Sequence, residues 1–349
     1  MVYNSNEFET NKHLIEHLNN TNPEIVLQTI RDILYHKGEQ WADESLKALM
    51  PHGNERVNTI LELEYGYSNK DTESKKDHPS VNTEFSNLVV HGDTLSFLKA
   101  CPENLVHLTF TSPPYYNARD YSIYTSYAEY LEFLSDVFRQ VHRITKDGRF
   151  LVVNTSPIIL PRISRKYSSR RYPIPYDLHG ILVKYGWEFI DDIVWVKPEA
   201  SVKNRNGGFH QTRKPLAYKP NCVTEMLMVY RKESNRLIDW NINAYGCEQV
   251  TASQVVGEYE TSNVWNISPQ HNSRHPAVFP EELCDRIVKY YSMKNDLVFD
   301  PFAGSGTLGK SAIKLERKIL LTEVNTDYYS IIKSNLAQYD VRYLDRTKN

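Results

Sequence analysis

The chain has 349 residues, 40% of them hydrophobic, with 41 basic and 43 acidic side chains and a formal net charge of −2. That length suits one large α/β domain with an appendage, and no apolar run approaches the roughly 18 residues of a membrane span. Cys101, Cys222, Cys247 and Cys284 lie far apart with no C-x-x-C pair, which argues against a zinc site or a disulfide framework, so no metal is expected.

Residues 1–80 read as a helical appendage and linker. Ile25, Val26, Leu27, Ile30, Ile33 and Leu34 recur at helical spacing, as do Leu46, Leu49 and Met50. Met1 to Thr10 is polar and acidic rather than a secretory signal, and a prokaryotic cytoplasm is the expected location. Ser68 to Ser80 is polar and charged, as linkers are. Charge is unevenly spread: residues 1–86 carry 8 Lys/Arg against 15 Asp/Glu, while residues 139–219 carry 16 against 6.

Residues 81–198 form the next segment. Asn87 to Asp93 is a strand ending in an acid, and Leu105 to Phe110 is a short apolar run that reads as a buried strand. It leads into Thr111-Ser112-Pro113-Pro114-Tyr115. Two prolines fix two φ angles and remove two N–H donors, making a stiff corner at a strand tip. The corner aims the Ser112 hydroxyl and nearby carbonyls at one point beside an aromatic ring, where a planar base with an exocyclic amino group would fit. Tyr127 to Ile144 follows as an amphipathic helix, closed by a turn at Lys146-Asp147-Gly148, and Arg149 to Asn154 is the next strand. Tyr176 to Tyr185 is a helix, Trp187 to Pro198 a strand, and Thr224 to Tyr230 its partner.

Residues 199–222 are polar and basic and read as a loop, and 235–274 is variable in texture. Arg162, Arg165, Lys203, Arg205, Arg213 and Lys214, interleaved with aromatic and amide side chains, suit contact with nucleic-acid phosphates. Asn241, Asn243, Gln249, Gln254, Asn263, Gln270, Asn272 and Arg274 carry groups that read base edges. From residue 275 the chain returns to regular elements, with a helix over Glu281 to Tyr291.

Leu297 to Asp300 is a strand entering the glycine-rich turn Pro301-Phe302-Ala303-Gly304-Ser305-Gly306-Thr307, with a helix from about Leu308 to Leu315. Lys318 to Glu323 is a further strand with an acid at its tip, 19 positions after Gly304. A glycine turn and a later acid at about this spacing grip an adenosine ribose. Residues 304–311, GSGTLGKS, also match the phosphate-loop pattern of nucleotide triphosphatases. Against that reading, only the 38 residues 312–349 follow it, too few for the rest of such a domain.

The pairing of TSPPY at 111–115 with DPFAGSGT at 300–307 resembles the amino-group DNA methyltransferases, which use S-adenosylmethionine. The order, catalytic motif before cofactor motif, resembles their permuted beta group. The resemblance covers roughly 86–340. It implies a doubly wound, Rossmann-like methyltransferase sheet with helices on both faces, an α/β fold here carrying the helical appendage and an inserted target-recognition region at 199–274. It assigns Ser112, Pro113, Pro114 and Tyr115 to catalysis. It assigns Asp93, Thr111, Asp300, Pro301, Phe302, Gly304, Gly306, Thr307, Glu323 and His275 to the cofactor, with Asp93 toward adenine and His275 near the methionine end. It places Trp195 against the flipped base, a position that a core tryptophan would fill equally well. Residues 275–349 would then be the cofactor-binding half.

The substrate implied is double-stranded DNA, methylated by direct transfer to an amino group after base flipping. Serine before PPY accompanies cytosine N4 in this family, and Asp or Asn adenine N6, so Ser112 favours cytosine N4. No cysteine follows a proline, which disfavours C5 chemistry. Related RNA and protein amino methyltransferases usually place the cofactor motif first. A homodimer and a companion restriction endonuclease in a restriction–modification system are the protein partners left open. The fold implied also demands that Pro113 and Gly304 be neighbours in space.

Overall fold

The computed structural model of the chain describes residues 5–66, 78–116, 124–160, 164, 166–167, 169–234, 236–270 and 279–347. The chain divides into two compact units, residues 1–76 and 77–349. The first holds α1 (Ser5–His17), α2 (Pro23–Leu34), α3 (Gln40–Ala48) and α4 (Glu55–Leu61). The Asn22 and Asn54 side chains cap α2 and α4 by accepting from the Glu24 and Val57 N–H groups. Val26, Ile30, Ile33, Leu46, Val57 and Leu61 close its own apolar core.

The second unit runs β1 (Leu88–His91), α5 (Thr94–Ala100), β2 (Val106–Thr111), α6 (Tyr127–Ile144), β3 (Thr145–Thr155), β4 (Ile158–Leu160), β5 (Arg170–Tyr172), α7 (Ile174–Lys184), β6 (Trp187–Val196), α8 (Gly207–Thr212) and β7 (Thr224–Lys232). It continues with α9 (Ile238–Asn243), α10 (Cys247–Ser253), β8 (Val264–Asn266), α11 (Glu281–Tyr291), β9 (Leu297–Asp300), α12 (Thr307–Lys314), β10 (Lys318–Glu323), α13 (Thr326–Asn335) and β11 (Arg342–Asp345). Nine strands form one sheet in the order β11-β1-β10-β9-β2-β3-β7-β6-β8. All neighbours are parallel except β7, which runs against both β3 and β6.

Successive strand residues feed opposite faces, as the pleat requires. Leu151 and Val153 of β3 join Leu134, Phe138 and Leu182 of α6 and α7 on one face. Val152 joins Leu283, Ile287, Leu308 and Ile332 of α11, α12 and α13 on the other. Continuous apolar runs such as Leu105 to Phe110 belong to strands buried on both faces. The connection from β2 leads outward to β3, and that from β9 leads the other way to β10. The chain therefore reverses direction between β2 and β9, and ligands of such sheets bind at the carboxyl strand ends flanking that point.

Three expectations change. The turn expected at Lys146-Asp147-Gly148 lies inside β3. Val106 pairs with Thr145 and Leu108 with Phe150, so β3 bulges between them, with Gly148 at φ 69°. The segment read as a loop at 199–222 contains α8. Three amides assigned to base reading hold the fold instead: the Nδ2 of buried Asn241 donates to the Gly148 carbonyl, Gln249 binds the Lys294 carbonyl, and Asn263 binds the Asp192 carbonyl. Asn272 and Arg274 lie outside the described residues. No helix among the described residues is long and apolar enough to cross a membrane.

Candidate active site

The tips of β1, β2, β9 and β10, with the adjoining ends of β3, β6 and β7, open on one cavity of about 450 Å³. Small-molecule sites typically span about 300–1,000 Å³. Ser112, Pro113, Pro114 and Tyr115 line it from one side, and Pro301, Phe302, Gly304, Thr307 and Glu323 from the other. Pro113 and Gly304 thus line one cavity despite their distance in sequence.

Thr111, the last residue of β2, is fully buried and is not on the wall. Its Oγ1 donates to Asp300 Oδ1 at 2.6 Å, tying the catalytic corner to the glycine turn. Behind Ser112 stands Asn154 of β3. Its Nδ2 lies 3.5 Å from Ser112 Oγ and donates to Glu225 Oε2 at 2.6 Å. Lys197 Nζ, just past β6, donates to Glu225 Oε1 at 2.5 Å. The Tyr115 hydroxyl donates to Glu225 Oε2 at 3.4 Å.

On the other side the backbone supplies donors. Gly304 N–H donates to Glu323 Oε2 at 2.7 Å and Asn325 N–H to Oε1 at 2.8 Å, which fixes the carboxylate at the tip of β10. Gly306, off the wall, begins α12 at φ 76°, and a Cβ there would stand 3.2 Å from Ile332. Asp93 lines the wall and caps α5, its Oδ1 accepting from Ser96 N–H at 2.8 Å. The Thr94 hydroxyl donates to the Pro301 carbonyl at 2.6 Å and so binds the end of β1 to the glycine turn.

Burial pushes the Asp300 carboxyl up to about 7, against the opposing donors Thr111 and Phe302 N–H. Burial likewise raises Glu323 to about 7; the Asn325 and Gly304 N–H groups oppose this and the nearby Asp300 charge adds to it. A cationic nucleoside fits this donor set. Glu323 has acceptor capacity left for ribose hydroxyls, Phe302, Phe133 and Tyr124 offer apolar ring surface, and the carboxylates suit a positive sulfonium. Among the described residues no cluster of three or more His, Cys, Asp or Glu could hold a metal ion.

Other assigned residues stand elsewhere. Trp195 is only 4% exposed; its Nε1 donates to the Ile267 carbonyl at 2.8 Å, so it serves the core while part of it reaches the cavity wall. Lys203, Arg213 and Lys214 are exposed, and Arg205 is half-buried, on the segment between β6 and β7. Arg162, Arg165 and His275 lie outside the described residues. The phosphate-loop match gains no support. Lys310 pairs with Glu281 at 3.4 Å and the Ser311 hydroxyl donates to Asp285, both on α11 and both off the cavity wall. Asn154, Lys197 and Glu225 were not anticipated. The one available signal was that Lys197 follows Trp195 by two positions, on the same face of one extended run.

Comparison with known proteins agrees with this architecture. Residues 106–334 match the family model described as DNA methylase. The type II methyltransferase M.ScaI of Streptomyces caespitosus is 30% identical over 71% of this chain and 81% of its own. The DNA adenine methyltransferase YhdJ of Escherichia coli is 28% identical over 74% and 85%. Thermus thermophilus TTHA0409, crystallised with S-adenosyl-L-methionine, superposes with a TM-score of 0.60 at 25% identity, over 75% of this chain and all of that one. The chain belongs to the DNA methylase family, as an amino-methyltransferase that acts on DNA with S-adenosyl-L-methionine as its cofactor.

Proposed function

We propose that the protein methylates the N4 amino group of cytosine at a specific site in duplex DNA, as the modification half of a restriction–modification pair. The observation that carries this reading is the proline corner with Ser112 facing the glycine turn across one cavity. When bound, the cofactor supplies an electrophilic methyl group on a sulfonium. The rest falls to the chain. The base leaves the duplex to enter the cavity. The Ser112 oxygen and the Pro113 carbonyl accept the two amino hydrogens, which localises the lone pair and orients it toward the methyl group. Tyr115 stacks on the base. Glu323 holds the ribose and Asp93 the adenine of the cofactor, while Thr111 acts at one remove by holding Asp300. Lys203, Arg205, Arg213 and Lys214 meet the phosphates.

The type II name of M.ScaI supports a companion endonuclease. A second reading, adenine N6, is favoured by the likeness to an adenine methyltransferase. Methylating unmodified genomic DNA, digesting it to nucleosides and weighing the modified one decides between them. N4-methyl-2′-deoxycytidine is expected, and N6-methyl-2′-deoxyadenosine would replace the first reading by the second.

A further inference from the structure

The Glu225 carboxylate holds neither base nor cofactor in the scheme above, yet it is firmly anchored on the cavity wall near Ser112. It comes from β7, opposite Trp195 in the sheet. Lys197 and Asn154 donate to its two oxygens at 2.5 and 2.6 Å, and the Lys197 and Glu225 side chains are only 16% and 17% exposed. The Tyr115 hydroxyl donates to the same carboxylate, and Ser112 and Ser156 hydrogen-bond in turn to Tyr115. A file of exchangeable protons therefore runs from Ser112 through Tyr115 to Glu225.

We propose that Glu225 is the terminal acceptor of the proton released by the target amine, delivered through Ser112 and Tyr115. This rests on the reading of Ser112 as the residue at the base. The amine lone pair forms the new N–C bond as the C–S bond breaks and its electron pair returns to sulfur. The nitrogen, left cationic, gives a proton to Ser112 Oγ while Ser112 passes its own to Tyr115 and Tyr115 passes its own to Glu225. A neutral amine, a sulfonium and a carboxylate become a neutral methylated amine, a thioether and a carboxylic acid, so charge balances.

The acceptor need not be strongly basic. The lone pair of a nucleobase amine belongs to the ring, so its alkylated cation is a strong acid. Lys197 Nζ lies 2.5 Å from Glu225 Oε1 and sets a cation beside the carboxylate that receives the proton. Burial holds the Tyr115 hydroxyl well above its ordinary range, so Tyr115 hands a proton on as a neutral phenol. Among the described residues, Lys197 and Tyr115 are the titratable groups that hydrogen-bond to Glu225. Asp93, Asp300 and Glu323 are the other carboxylates on the wall, and they contribute equally to parent and variants.

The test is single-turnover methylation of unmodified genomic DNA across a wide pH range, using the full chain with Glu225→Gln and Glu225→Asp. Equilibrium binding of S-adenosyl-L-methionine and of duplex DNA is measured alongside. Glu225→Gln is expected to lower the transfer rate constant by about a hundredfold with both ligands still bound as by the parent. Its rate should keep climbing with pH where the parent's levels off, because hydroxide takes over. Glu225→Asp should restore part of the rate and the parent's profile. Glu225→Gln acting at the parent's rate, or slowed by one constant factor at every pH, overturns the assignment. If the Gln variant binds neither ligand, the Asp variant decides: a parent-like profile upholds the assignment and one lacking the acidic limb overturns it. A parent enzyme that methylates no DNA overturns the underlying reading instead.

Discussion

Thr111 and Asp300, 189 positions apart, share a buried hydrogen bond of 2.6 Å across the adjacent strands β2 and β9. It joins the proline corner to the glycine turn at the point where the sheet reverses direction. Thr111→Val keeps the shape and removes the donor. The expected outcome is a loss of about 1–3 kcal/mol in urea unfolding, together with weaker cofactor binding measured by calorimetry.

The two raised carboxyls make stability fall with pH. Asp300 and Glu323 hold their protons up to about 7 in the folded chain, whereas unfolded they release them near 3.8 and 4.5. Between those limits the folded state binds more protons than the unfolded one, so stability declines as pH rises through that window. Urea midpoints of the free protein should drop toward neutral pH, and Asp300→Asn should flatten the slope. A variant with the parent's slope would clear Asp300 of the effect.

Gly309 and Lys310 separate two explanations of one motif. A Cβ at Gly309 would come within 2.6 Å of Leu321, so this glycine lets α12 pack closely on β10. Gly309→Ala is expected to cost about 1–3 kcal/mol through overpacking. Lys310→Ala removes only a partly exposed ion pair to Glu281, worth about 1 kcal/mol at most. Methyl transfer should survive it, whereas a phosphate-loop lysine would be indispensable.

The exposed Arg213 and Lys214 are expected to act through phosphates. Replacing either by Ala should weaken binding to any duplex and lower the slope of log affinity against log salt by about 1, measured by fluorescence anisotropy. An unchanged slope would remove these side chains from the DNA face.

Half of the site was legible because its chemistry is local. The proline corner and the glycine turn each lie within a few consecutive residues, and Glu323 stands at a fixed spacing from Gly304. Asn154, Lys197 and Glu225 were not legible. They meet only because β7 runs against β3 and β6 and brings its first residues to the far ends of its neighbours. Nothing in their positions along the chain has a period. Asn241 and Gln249 misled for the same reason: an amide suited to a base edge is equally suited to a buried carbonyl, and only packing decides. Strand positions were easier, since double-sided burial writes continuous apolar runs, while the bulge at Gly148 hid a strand behind residues typical of turns.

The strand order also governs when the enzyme comes into being. β10 and β9 lie between β1 and β2, yet ribosomes make them long after both. Until they emerge, the proline corner sits beside an open gap with no wall for the cofactor and no Asp300 for Thr111. Closing that gap joins segments separated by most of the unit, a slow step dominated by loop entropy. A chain that ends before β9 has no cofactor wall, so methyl transfer waits on the last strands to leave the ribosome.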